Sequence, residues 1–406
     1  MSFAPSPTLS RVSRGSLCTG CGGCAAIAPG AITMHLAEPG YLRPQQSAPI
    51  PAETERRIRE ACPGLGLRQV RDGRRQHRLW GPYVAMYTGH ATDPALRRNG
   101  ASGAALSAVL VELLESGRVD EIVQIRDDPK VPIGNRTVIS KTSDDVFAAA
   151  GSRYAPSSPL ANLPAYLDTG RRYAFVGKPC DVSAMSVLRR QDPLVAERFP
   201  YLVSFFCAGV PSQTGARELL AKMGVGEEEV SAFRYRGDGW PGYATATTPD
   251  GRKYRMSYAD SWGGVLSRHV QFRCKICPDG TGGFADIVSA DAWETDEKGY
   301  PLFEERDGIS LVVSRTERGE EVVQSAVTRG VLTIEPFDPA GLTAIQPGQT
   351  QRRRYALARL LALRILGRPA PRYRNFHLLW NARRAGLKQN AKNFAGTVRR
   401  ALLGRL

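Results

Sequence analysis

Cys274-Lys-Ile-Cys277 lies in a stretch from Arg268 to Trp293 that is rich in Gly and carries an apolar, strand-like run from Phe284 to Val288. Two residues between cysteines let both sulfurs face one metal centre from a single tight turn, with backbone N–H groups left to bond to sulfur. One pair supplies half of a four-thiolate site, so two more donors must come from elsewhere in the chain. Cys180 closes the run that begins at Tyr173, and Cys207 closes the run that begins at Tyr201. Each run is short, apolar and aromatic and stops at a Gly or Pro signal, the pattern of a buried strand in an α/β sheet. Such strands deliver their carboxyl ends to one rim, where the sites of open α/β folds gather. A lone cysteine in that setting reads as a core thiol; the total of eight argues for ligands.

Cys18, Cys21 and Cys24 form a Cys-x-x-Cys-x-x-Cys run, too tight for disulfides among themselves. The run resembles that of bacterial ferredoxins, in which a fourth Cys precedes a Pro. Ala28 occupies that place here, and Cys62, followed by Pro63, is the only other cysteine before position 180. Zinc sites seldom use three cysteines at this spacing, so an iron–sulfur cluster is the favoured reading. Residues 1–16 contain no apolar signal-peptide core. A reducing cytoplasm is therefore expected, where clustered cysteines mean metal or redox chemistry rather than disulfides.

Hydrophobic content of 42% and charged content of 23% over 406 residues suit a globular α/β (α+β mixed) protein of two or three domains. The expected division is a ferredoxin-like module at 1–80, a region with two ligand-binding loops at 81–165, a second domain at 166–345 and a basic tail at 346–406. The net charge of +16 is uneven: residues 351–406 hold fifteen Lys or Arg and no acid, leaving about +1 for the rest. Leu357, Leu360, Leu361 and Ile365 fall on one helical face of that tail. An anionic lipid surface at the inner face of a membrane, or an acidic partner, is its expected contact, ahead of nucleic acid. No apolar run is long enough to span a bilayer.

Two small-residue loops are candidate anion cradles. The first, ending in Ala101-Ser102-Gly103, opens an amphipathic helix over Ala104 to Ser116 whose first N–H groups are unpaired. The second, Ala148 to Pro159, contains Gly151, Ser152, Arg153 and Tyr154. Arg153 suits a pyrophosphate and Tyr154 a planar ring, or the loop is a structural turn with a solvated Arg. Phe233 to Gly242, with Arg236, Asp238 and Trp240, reads as a loop forming a site wall. There Arg236 and Asp238 either contact a substrate or pair with each other. The segment Glu335 to Gly348, with three Pro, reads as a linker.

Taken together these motifs resemble the beta-subunit family of coenzyme F420-reducing hydrogenases and formate dehydrogenases, which also includes 7-hydroxymethyl chlorophyll a reductase. The residues that carry the likeness are Cys18 to Cys24, Ala101 to Ala104, Gly151 to Tyr154, Lys178-Pro-Cys-Asp181, Phe206 to Gly209, Arg236 to Gly242, and Cys274 to Cys277 with Ala285-Asp286. They span roughly residues 17–330. The resemblance implies a flavoprotein holding FAD and one or two 4Fe–4S clusters. By it, Cys180, Cys207, Cys274 and Cys277 hold the cluster nearer the flavin, and Cys18, Cys21, Cys24 and Cys62 the outer one. Ser102, Gly103, Gly151, Ser152, Arg153, Tyr154 and Lys178 are the implied cofactor contacts. Ala104 departs from the pattern, standing where many relatives have a second Gly.

The resulting expectation is an oxidoreductase. Ferredoxin or a partner subunit exchanges electrons with the outer cluster, and an organic substrate meets the flavin at a face lined by Arg236, Asp238 and Trp240. The rivals are a relay subunit without its own substrate and a zinc-stabilised nucleic-acid-binding protein.

Overall fold

The computed structural model describes residues 3–70, 72–293, 302 and 305–404; the side chain of Ser102 lies outside that description. An eight-stranded mixed sheet occupies the centre. Its strands are β1 (Ala85–Ala91), β2 (Glu121–Asp128), β3 (Val131–Ser140), β4 (Tyr173–Val176), β5 (Tyr201–Phe205), β6 (Ile287–Asp291), β7 (Ser310–Ser314) and β8 (Leu332–Pro336). Their spatial order is β8-β1-β7-β6-β5-β4-β2-β3. The four strands β2, β4, β5 and β6 run parallel to one another, and antiparallel pairs flank them on both sides. At the crossing of β1 and β8 a side chain on Gly89 would meet the Thr333 carbonyl at 2.1 Å, so only glycine fits.

Burial on two faces explains the apolar runs. Along β4, Tyr173 and Phe175 join a cluster with Val182, Met185 and Phe199, whereas Ala174 and Val176 join one with Val109, Leu110 and Val203. Helices α1 (Ala104–Glu115) and α4 (Glu317–Thr328) cover the second face, and α2 (Pro179–Gln191) covers the first. The sheet takes strands from both 81–165 and 166–345, so these segments share one core. A three-stranded meander over residues 232–257 packs beside α3 (Gln213–Met223) as a smaller cluster.

Residues 7–68 hold short helices and a hairpin, Ile32–Ala37 with Tyr41–Gln46. The hairpin reaches the Cys274 turn: Tyr41 Oη donates to the His269 carbonyl at 2.5 Å and Arg43 to Gln271 Oε1 at 3.2 Å.

Several sequence expectations need correction. Cys180 does not end a strand; β4 stops at Val176, and Cys180 lies in the first turn of α2. Pro179 sets a helical φ there, and Asp181 Oδ2 accepts the Lys178 N–H at 3.0 Å, so the helix starts early. The strand expected from Phe284 begins instead at Ile287. The Glu335–Gly348 stretch is not a free linker: Leu342 is fully buried, and α5 (Pro347–Ile365) begins at its end.

The basic segment is helical, as α5, α6 (Leu378–Ala385) and α7 (Leu387–Leu402), but α5 is no solvated tail. Ala356, Leu360 and Leu363 are buried, and three arginines of α5 bind backbone carbonyls. Arg352 donates to Cys207 O at 2.8 Å, Arg353 to Pro278 O at 2.7 Å and to Leu79 O, and Arg359 to Lys275 O. A charge count cannot reveal this, because the acceptors are main-chain oxygens contributed by other segments. No helix among the described residues is long and apolar enough to cross a membrane.

Arg353→Leu should therefore leave two buried carbonyls without donors and cost about 2–4 kcal/mol. A thermal unfolding scan should show a midpoint lower by several degrees. An unchanged midpoint would contradict the stitching role.

Candidate functional site

At the carboxyl ends of the parallel strands lies a cleft of about 1430 Å³, open solvent at its mouth included. Such a rim collects loops because each strand hands its chain outward at the same edge. Gly103 precedes α1, Gln124 comes from β2, Lys178 follows β4, Cys207 follows β5 and Asp291 ends β6; all line the cleft. The loop from Gly151 to Tyr154 closes one side, with Tyr258 and Trp262 beside it. Gly151 has φ +115°, a conformation that side chains disfavour.

Of the expected contacts, Gly103, Gly151, Ser152, Tyr154 and Lys178 line the cleft, and the side chain of Ser102 is not described. Ala104 is buried and does not line it. Arg153 belongs to the lining, yet its guanidinium is already used. It donates to Asn135 Oδ1 at 2.9 Å, Phe233 O at 2.6 Å, Pro132 O at 3.0 Å and Gly134 O at 2.5 Å, and it stacks on Tyr235. It fastens the loop to β3 and to the meander and is not a solvated Arg.

Arg236, Asp238 and Trp240 do not form one substrate face. Arg236 is buried in the cleft wall and pairs in a bidentate manner with Asp291, at 3.0 and 2.7 Å, not with Asp238. Its Nε donates to Pro241 O at 2.6 Å, and its guanidinium lies 4.6 Å from the Tyr258 ring centre and 5.0 Å from that of Trp293. Trp240 lies behind the wall: its Nε1 donates to Asp291 Oδ1 at 2.8 Å and its ring stacks on Trp293 at 4.9 Å. Asp238 is 63% exposed and faces Arg234 at 3.8 Å, away from the cleft. Asp291 is the hub that sequence reasoning missed, since nothing local ties it to an arginine fifty-five positions earlier. Gln349, which donates to Cys207 O at 3.0 Å, and Gln346, which donates to Asp291 O at 2.6 Å, were equally invisible.

The eight thiols are free and fall into two sets. Burial pushes Cys21 up to about 12, with the charges of Asp181 and Cys62 adding to it. Burial likewise raises Cys62 to about 11, with Cys18 adding, and Cys24 well above the usual range, with Cys21, Cys18 and Cys62 adding. Backbone N–H groups oppose this at each sulfur: Gly20 at Cys18, Gly23 at Cys21, Ala25 at Cys24, and Gly64 and Leu65 at Cys62. In the second set, burial raises Cys180 well above its ordinary value, with Asp181, Cys207 and Cys274 adding; burial and Cys274 push Cys207 to about 12. Cys277 joins this set through Arg273, whose guanidinium feels the nearby charges of Cys277 and Cys180. Asp181 acts on both Cys21 and Cys180, and Arg273 on both Cys62 and Cys277, so the two sets are neighbours. Among the described residues no three of His, Cys, Asp or Glu are placed to hold a single metal ion.

Lys178 is saturated. Its Nζ lies 2.7 Å from Asp181 Oδ2, 2.8 Å from Ser157 Oγ and 3.3 Å from Ser157 O, all buried. Burial alone would pull its pKa down, but Asp181, Cys180 and Cys207 more than offset that and keep it charged. Lys178→Met should strand the Asp181 carboxylate beside Cys180 and cost about 3–5 kcal/mol. Adding Asp181→Leu should recover part of that loss in denaturant unfolding. Equal stability of Lys178→Met and the parent chain would contradict the pairing.

Comparison with known proteins places the chain in a family. Residues 86–163 match the amino-terminal part of the family described as coenzyme F420 hydrogenase/dehydrogenase, beta subunit, and residues 170–340 match the carboxyl-terminal part of the same family. The coenzyme F420 hydrogenase subunit beta of Methanothermobacter thermautotrophicus is 24% identical over 305 residues, covering 72% of this chain and 99% of the relative. The coenzyme F420-dependent sulfite reductase of Methanocaldococcus jannaschii is 23% identical over 257 residues, 59% of this chain, which spans only 37% of that protein's length. A chain from the F420-reducing [NiFe] hydrogenase complex of Methanosarcina barkeri shares the fold, with TM-score 0.58 and 20% identity over 74% of this chain and 99% of that one. The chain belongs to the coenzyme F420 hydrogenase/dehydrogenase beta-subunit family, whose named members are oxidoreductases and their subunits.

Proposed function

We propose that the chain is an iron–sulfur flavoprotein oxidoreductase that passes electrons between ferredoxin, or another electron-carrying subunit, and an organic substrate. The observation that carries this reading is a continuous arrangement. The Cys18 set adjoins the Cys180 set across Asp181 and Arg273, and Cys207 of the second set forms part of the cleft wall. Cys18, Cys21, Cys24 and Cys62 would hold one 4Fe–4S cluster, and Cys180, Cys207, Cys274 and Cys277 the other. Four buried sulfurs that feel one another, each opposed by a backbone N–H in the first set, suit a cluster in which every thiolate holds its own iron.

The cleft would hold FAD. Gly103 and Gly151 leave room for close approach, and Tyr154, Tyr258 and Trp262 offer ring surfaces. When bound, clusters exchange electrons singly and flavin exchanges them in pairs. The chain's own residues orient and insulate. The Arg236–Asp291 pair fixes Tyr258 and Trp293 in the cleft wall, with Trp240 braced behind them. The Lys178–Asp181 pair keeps the cleft floor beside Cys180 electrically balanced. The names of the relatives make coenzyme F420 the first substrate to assay.

Anaerobically purified chain should contain about eight irons and one flavin. Cys62→Ser should reduce the iron to about four while flavin is retained. Reduced ferredoxin with F420 and a panel of other acceptors then tests for substrate turnover; iron and flavin without turnover favour the relay reading. A colourless protein holding one zinc and no flavin sinks the proposal.

A further inference from the structure

Helices α5 and α7 leave between them a second cleft, of about 900 Å³ with open solvent included. Tyr355 and Arg359 line it from α5, and Lys392, Asn393, Gly396 and Arg400 from α7. No aliphatic side chain lines it, and no Asp or Glu does; none follows Asp338 in the sequence. Among the described residues, three cations thus share a recess whose lining holds no counter-charge.

Their hydrogen bonds leave capacity unused. Arg359 gives Nε and Nη2 to Asn393 Oδ1, at 3.1 and 2.8 Å, and Nη1 to the Lys275 carbonyl. Arg400 makes a long contact to Thr397 Oγ1 at 3.4 Å, and its buried Nε has no partner. Burial, then the charges of Arg400 and Arg352, pull Arg359 down to about 10. Like charges gathered in a partly dry recess repel, and a folded chain keeps them there most readily when an anion supplies the missing charge.

We propose that the α5–α7 cleft is a binding site for a phosphate group, as mono- or diphosphate, either free or borne on a lipid headgroup. Phosphate fits better than a simple carboxylate because its extra charge and oxygens match two guanidinium groups and an ammonium. Apart from the Tyr355 ring the lining is polar or glycine, which favours a small charged group over an apolar one. Because Arg359 also holds the Lys275 carbonyl, the site and the Cys274–Cys277 turn share one side chain.

The test uses the full chain with inorganic phosphate and pyrophosphate in titration calorimetry at fixed ionic strength. Saturable binding and a raised thermal midpoint are expected. Arg400→Gln and Lys392→Gln should each weaken binding by about tenfold or more, since each removes a charge-assisted contact. Lys388→Gln, exposed on α7 outside the cleft, should leave binding unchanged. Without anion, Arg400→Gln should unfold no earlier than the parent, because it relieves repulsion. Sedimentation with phosphatidylcholine vesicles, with and without phosphatidic acid, separates the sources. Binding that needs phosphatidic acid and Lys392 means a lipid-borne phosphate; binding of the free anions alone means a soluble one. The proposal is overturned if neither anion nor vesicle binds, if chloride stabilises equally, or if Lys392→Gln and Arg400→Gln bind like the parent.

Discussion

A backbone turn as irregular as the one around Cys274 and Cys277 can be buried only if its carbonyl groups find donors, and guanidinium groups supply them. Arg353 takes Pro278 O, Arg359 takes Lys275 O and Arg352 takes Cys207 O, while Arg273 within the turn reaches Pro63 O at 2.7 Å. Each guanidinium carries several donors on a long apolar stem, so one side chain can serve acceptors from separate segments. These bonds draw residues 62–64, 207–208, 274–278 and α5 around one point. An orphaned buried carbonyl costs about as much as a lost hydrogen bond, so removing one arginine frees more than one segment.

The sheet supplies the other fixed edge. Parallel strands β4, β5 and β6 end at one rim, which places Lys178, Cys207 and Asp291 around the cleft although they are far apart in sequence. Two buried ion pairs then set the electrostatics: Lys178 with Asp181 beside the thiols, and Arg236 with Asp291 among the aromatic rings. Buried pairs of this kind hold geometry more than they add net stability, because desolvation cancels much of the attraction. Their effect here is to aim rings and thiols at a shared space.

The legible parts of the molecule were those written in local pattern. The apolar runs at Tyr173 and Tyr201, buried on both faces, became adjacent parallel strands, and the helix from Ala104 carried the expected apolar spacing. Cysteine spacing grouped Cys18, Cys21 and Cys24, and paired Cys274 with Cys277; in the fold Cys62 lies near the first group, and Cys180 and Cys207 near Cys274. What failed was partner choice. Arg236 was offered Asp238 by proximity in sequence, yet Asp291 takes it across fifty-five residues. Arg153 was offered solvent or a ligand, yet four oxygens from β3 and the meander hold it.

By itself the sequence determined the mixed α/β sheet and the loop around Gly151, since each depends on spacing within a short window, whereas the small-residue stretch before Ala104, expected as a loop, is helical from Pro94 to Gly103. Tertiary structure alone decided which charges face solvent. The fifteen cations after Gln351 looked like a detached tail, but their role depends on carbonyl oxygens and helix contacts that no linear pattern encodes. A hydrogen-bond donor can be read from its residue type, whereas its acceptor is fixed only once distant backbone has been brought within about 3 Å.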